Sequence, residues 1–155
     1  MKNLISVMLL TLMMTVSSAL AQSVPPDVMQ KIRQKYTKKY PDDLSMQKTL
    51  IEDQVRSYIF MQKYTSADGV PNNIFTKIRE HYISKYPDDY SIQKVLIQDQ
   101  AESYRFMKSY TSANGVPQDV FNNIKKRYQN EYPYDFSMQK SLVQAQVKSY
   151  LEQHQ

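Results

Sequence analysis

The chain repeats itself at an interval of 46 residues, and that period limits the folds open to it more than any other feature. Val24-Pro25, Val70-Pro71 and Val116-Pro117 open three copies. Tyr40-Pro41, Tyr86-Pro87 and Tyr132-Pro133 stand at one position inside each. Every copy then continues through Asp43, Asp89 or Asp135 into a Ser-x-Gln-Lys string, at 45–48, 91–94 and 137–140. A period in this range marks a repeat architecture, in which one unit cannot bury its apolar face alone and stacks on the next. The copies run 24–69, 70–115 and 116–155.

Each copy reads as two helices. Val28, Ile32 and Tyr36 are four residues apart, as are Ile74, Ile78 and Tyr82 and then Val120, Ile124 and Tyr128. That spacing fits one face of a helix and not the alternation of a strand. Pro at the opening suits a first helical turn. Pro41, Pro87 and Pro133 stop the helix at the preceding Tyr, because a residue before proline is pushed out of helical geometry. Asp43, Asp89 and Asp135 then offer a carboxylate to the free N–H groups of a second helix.

That second helix carries Leu50, Ile51, Val55 and Tyr58, with Leu96, Ile97, Ala101 and Tyr104 as the next copy and Leu142, Val143, Val147 and Tyr150 as the third. Leu96 and the aligned residues Leu44, Tyr90 and Phe136 are expected in the core. Gly69 and Gly115, the only glycines, are expected to close the long helices in the left-handed conformation. The prediction is an all-α protein of three helix hairpins stacked as a short right-handed solenoid, with a compact six-helix bundle as the alternative.

Residues 1–21 read as a cleaved signal peptide. Lys2 precedes an apolar stretch from 4 to 16, and Ala19-Leu20-Ala21 forms a small-x-small site before Gln22. The stretch is shorter than the roughly 20 residues that a membrane span requires. The expected product is a single helical domain, 22–155, in the periplasm or outside the cell, with no transmembrane segment. With no Cys in the sequence, it must hold together by packing alone.

Polar residues that recur unchanged are the candidates for function. Gln47 and Gln54, seven apart, share a helix face, as do Gln93 and Gln100. Two readings follow: a ladder of amides open to a peptide or glycan, or structural bonds to the neighbouring hairpin's turn, such as a carbonyl freed by Tyr-Pro. Tyr64 and Tyr110, near the ends of the long helices, form a candidate aromatic rim for a sugar or a protein.

The short helices are basic, above all the first, where Lys31, Arg33, Lys35, Lys38 and Lys39 face only Asp27. An anionic partner fits that face, such as an acidic protein or an anionic cell-envelope polymer. Nucleic acid does not fit as well, because no nucleic-acid-binding signature is present and the chain is read as exported.

Nothing in the sequence spells out catalysis. His81 and His154 occupy non-equivalent positions, no metal-ligand spacing occurs, and no phosphate loop or nucleophile elbow is present. No cofactor or metal is expected. The leading expectation is a non-enzymatic protein–protein interaction module. A binder of anionic or carbohydrate envelope polymers is the second, and a small hydrolase built on helical carboxylates a distant third.

Overall fold

The computed structural model describes residues 23–154, and helix covers 76% of them with no strand. The protein is all-α. The helices are α1 (Pro26–Lys39), α2 (Leu44–Lys63), α3 (Asn72–Lys85), α4 (Tyr90–Ser109), α5 (Gln118–Glu131) and α6 (Phe136–Gln153). A short and a long helix alternate, as the 46-residue period requires. The signal-peptide segment lies outside the described residues.

The same local chemistry starts and stops each pair. Pro25, Pro71 and Pro117 sit one residue ahead of the short helices, and their carbonyls accept the N–H groups of Met29, Phe75 and Phe121 at 2.9–3.0 Å. No side chain caps these starts. At the far end Tyr40, Tyr86 and Tyr132 leave helical geometry together, with ψ near 60° ahead of their prolines. Asp43, Asp89 and Asp135 then cap the long helices, accepting from the N–H of Met46, Ile92 and Met138 at 2.8, 3.3 and 3.0 Å.

The chain divides into two compact units at Gln62–Lys63. The first holds α1 and nearly all of α2, with Met29, Ile32 and Tyr36 of α1 and Ile51, Val55 and Met61 of α2 buried. The second holds α3 to α6, where α3 packs on α4, α5 on α6, and α4 on α6. Its largest side chains with essentially no exposed surface are Phe75, Phe121, Ile78 and Ile97. Around Phe121 gather Met107, Tyr128, Val143 and Val147.

Three sequence expectations are corrected. Leu96 is only half-buried at the edge of a crevice, at the margin of a stripe whose Ile97 and Ala101 are core as expected. Of the aligned set Leu44, Tyr90 and Phe136, Phe136 is buried, Tyr90 is half-buried and Leu44 is exposed. The glycines do not end the helices. Helices α2 and α4 finish at Lys63 and Ser109, and Gly69 and Gly115 come several residues later, at the third position of turns closed by Val70 N–H to Ala67 carbonyl and Val116 N–H to Ala113 carbonyl. Their φ values of 74° and 80° are what such a turn demands there.

Candidate functional site

The recurrent glutamines divide into two structural roles. Gln47, Gln93 and Gln139 are buried, and each turns its amide back on its own Tyr-Pro turn. Nε2 donates to the carbonyls of Tyr40, Tyr86 and Tyr132 at 2.6, 2.5 and 2.5 Å. Those carbonyls are exposed by the break before proline, so the amide closes the turn from inside. The Tyr-Pro carbonyl is the partner, but it belongs to the glutamine's own helix pair and not to the neighbouring one as expected, because the turn lies only seven residues back.

Gln100 reaches the next pair instead. Its Oε1 accepts the Phe136 N–H at 2.7 Å, while Nε2 donates to Asp135 Oδ1 at 2.9 Å and to the Tyr82 hydroxyl at 3.0 Å. One amide thus serves the start of α6 and a buried phenol at once. Its equivalent Gln54 is buried as well, whereas Gln146 is exposed. Gln47, Gln54, Gln93 and Gln100 are therefore turned inward and do not line an open groove.

Tyr64 and Tyr110 are half-buried. Each ring meets a phenylalanine of the following short helix edge-on, Tyr64 on Phe75 and Tyr110 on Phe121, both with centroids 5.0 Å apart at nearly right angles. Burial pushes the Tyr64 phenol above its ordinary pKa, partly offset by the Arg105 guanidinium. Their carbonyls are held too: Arg79 Nη1 donates to Tyr64, and Lys125 Nζ donates to Tyr110 at 2.7 Å. Burial lowers the Lys125 pKa. Arg79 and Lys125 occupy one repeat position, and a cation there meets the negative end of the preceding long helix. Sequence reasoning grouped these cations with the basic face and missed the clamp. The signal was the 46-residue spacing of Arg33, Arg79 and Lys125.

Along α1, Lys31, Lys38 and Lys39 are exposed, and Arg33 and Lys35 half-exposed. Lys35 and Lys39 lie 5.5 and 5.3 Å from the ring centroids of Tyr36 and Tyr40. Two open grooves run beside this helix. One is about 430 Å³, walled by Val24, Met29 and Arg33 among others, and the second is about 540 Å³, walled by Arg33, Gln34, Thr37 and Lys38.

A feature the sequence reading overlooked is the x of Ser-x-Gln-Lys. Met46, Ile92 and Met138 are 41%, 40% and 42% exposed, so all three copies hold an apolar side chain out to solvent at one position. Val95, one turn beyond Ile92, is more exposed still. The signal available was the apolar character of x in a polar string.

A crevice of about 210 Å³ lies at the start of α6, walled by Tyr82, Asp99, Gln100 and Asp135 among others. Burial raises the Tyr82 pKa, reinforced by the Asp135 charge and opposed by the Gln100 hydrogen bond. Asp135 Oδ1 is taken up by Gln100 and the Met138 N–H. Among the described residues no group of His, Asp and Glu is placed to hold a metal ion, and no helix is long and apolar enough to cross a membrane. Comparison with protein-family models, with curated proteins and with solved structures finds no match for the chain.

Proposed function

We propose that this is an exported, non-enzymatic helical-repeat protein that works as a protein–protein interaction module. The observation that carries the reading is the exposure of Met46, Ile92 and Met138, an apolar residue at one position of each repeat. Lone exposed apolar residues are ordinary on a protein surface. The same position left exposed in three copies, beside buried positions that the repeat fills, is a demand that packing does not make. Export is supported by the sequence pattern of residues 1–21. The recurrent Gln, Asp and Tyr residues support the reading indirectly, since their hydrogen bonds and ring contacts build the helix pairs that present these side chains.

A second reading has its own observation. The open grooves beside α1 are walled by Arg33 and Lys38, next to further exposed lysines, which suits an anionic envelope polymer.

Salt and mutation separate the two. The exported chain is immobilised and challenged with envelope and secreted fractions, then washed at rising ionic strength. An interaction module keeps a discrete protein through the high-salt wash, and the variant carrying Met46→Ser, Ile92→Ser and Met138→Ser loses it while melting at nearly the same temperature. Heterogeneous anionic material released by salt alone, with the serine variant unaffected and Arg33→Ala with Lys38→Ala defective, replaces the module by the polymer binder.

A further inference from the structure

The seam between the α3–α4 and α5–α6 pairs joins a helix face to a turn. On the face, α4 presents Gln100 and Tyr104. On the turn, Asp135 and the Phe136 N–H take the two ends of the Gln100 amide, and the Phe136 ring meets Tyr104 edge-on at 5.0 Å. Formed in this way, the seam leaves Gln100 2% and Phe136 7% exposed. Below it Lys125 holds the carbonyl end of α4.

Both halves of this seam recur elsewhere, with Gln146 and Leu44 exposed among the described residues. Forty-six residues beyond Gln100 and Tyr104, α6 carries Gln146, exposed, and Tyr150, half-buried with His154 stacked on it at 4.0 Å. The start of α2 carries Asp43 and Leu44, the equivalents of Asp135 and Phe136, and Leu44 is 55% exposed. The third element is present as well. Arg33 stands at the position of Lys125 on an open groove with Met29, while α6 has no basic residue in its last turn. At that end His154 Nδ1 lies 2.8 Å from the Tyr150 carbonyl, and the negative end of a helix attracts a further cation.

The geometry points to head-to-tail self-association, in which α6 of one copy receives the α2 start of a second copy and so continues the seam. Gln146 takes Asp43 and the Leu44 N–H, Tyr150 takes the Leu44 side chain, and Arg33 meets the carbonyl end of α6. The inference rests on the interaction-module reading and names a second copy of this chain as one occupant. The two faces differ, so the contact is heterologous and leaves a free end on each side. Gln153 replaces the buried Met107 of the internal seam and Leu44 replaces an aromatic ring, which makes the contact wetter and the association reversible.

Sedimentation velocity of the exported chain over a wide concentration range tests this. The expected result is a distribution that extends past the dimer as concentration rises. Leu44→Lys and Gln146→Glu alter exposed residues, so both variants fold, and each weakens association about tenfold or more, the first by burying an unpaired charge and the second by setting a carboxylate against Asp43. The decisive sample is their equimolar mixture. Each variant retains one intact face, so the mixture forms a one-to-one dimer and nothing larger. The proposal is overturned if the parent chain stays monomeric at its highest soluble concentration, if either variant associates like the parent, or if the mixture stays monomeric. It is overturned too if Ile92→Ser abolishes association while Leu44→Lys and Gln146→Glu do not, an outcome that leaves the interaction-module reading intact. Loss of salt-resistant capture with self-association preserved has the opposite meaning: the module reading through Met46, Ile92 and Met138 fails, and the seam stands.

Discussion

Gln100 and Gln146 are the same residue at the same place in consecutive copies, yet one is buried with hydrogen bonds on both amide atoms and the other stands in solvent. Phe136 and Leu44 form a second such contrast, one ring packed on Tyr104 and one side chain exposed. Repeat position alone therefore does not decide burial. A residue in a repeat is core only where a neighbouring copy completes its surroundings, and the recurring sequence records the demand of the interior seam. Terminal copies that keep the same residues keep the capacity for that contact.

The largest expected effect sharpens the interior side of this contrast. Phe121 is fully buried at the centre of the second unit, so Phe121→Ala should destabilise the protein by about 3–5 kcal/mol in urea or thermal unfolding. Leu96→Ala, at the crevice edge, should lose clearly less than Ile97→Ala. Equal losses would show that the two positions are packed alike.

Gln100 against Gln146 comes next. Gln100→Ala strips the Phe136 N–H of its acceptor inside the protein and should cost about 1–3 kcal/mol. Gln146→Ala should stay within about 0.5 kcal/mol, measured at a concentration where the protein is monomeric. A large loss for Gln146→Ala would break the comparison.

The junction glycines make a smaller pair. Both have positive φ, so alanine at either is strained by about 1–2 kcal/mol. At Gly115 a Cβ would also lie 2.8 Å from Leu151 Cδ2, whereas at Gly69 the nearest atoms are Arg105 methylenes at 3.4 Å. Gly115→Ala should therefore melt lower than Gly69→Ala, unless Leu151 rotates away.

The smallest effect is in the pH dependence. The folded protein holds the Tyr82 phenol above its ordinary pKa of 10.0, chiefly by burial. Unfolding therefore releases a phenol that ionises more readily. The contribution of neutral Tyr82 to stability is complete below pH 10 and is lost as pH rises through the higher folded value. Tyr82→Phe should flatten the decline in stability above pH 10 and change little at neutral pH, where Gln100 keeps Asp135 and Phe136.

The local grammar was legible in the sequence. Pro after Tyr ends a short helix, and Asp two residues beyond that Pro caps a long one, because each acts through its own backbone neighbourhood. The Gln47 link to the Tyr40 carbonyl was within reach for the same reason, since only seven residues separate them. Leu96 was misplaced because a stripe read at helical spacing fixes a face only to within one residue, and the half-buried margin goes to whichever side meets the neighbour. The clamp of Lys125 on Tyr110 and the exposure of Met46, Ile92 and Met138 were encoded in the period but not interpretable from it.

By itself the sequence determined six helices, their order, the ends of the short ones and the starts of the long ones, since capping and proline sterics are local. The tertiary structure alone decided which identical residues are covered, that Gln100 spans two helix pairs, and that an apolar side chain is held in solvent in every copy. Burial and hydrogen-bond partnership depend on atoms brought together across tens of residues, and the period names those atoms without saying which of them meet.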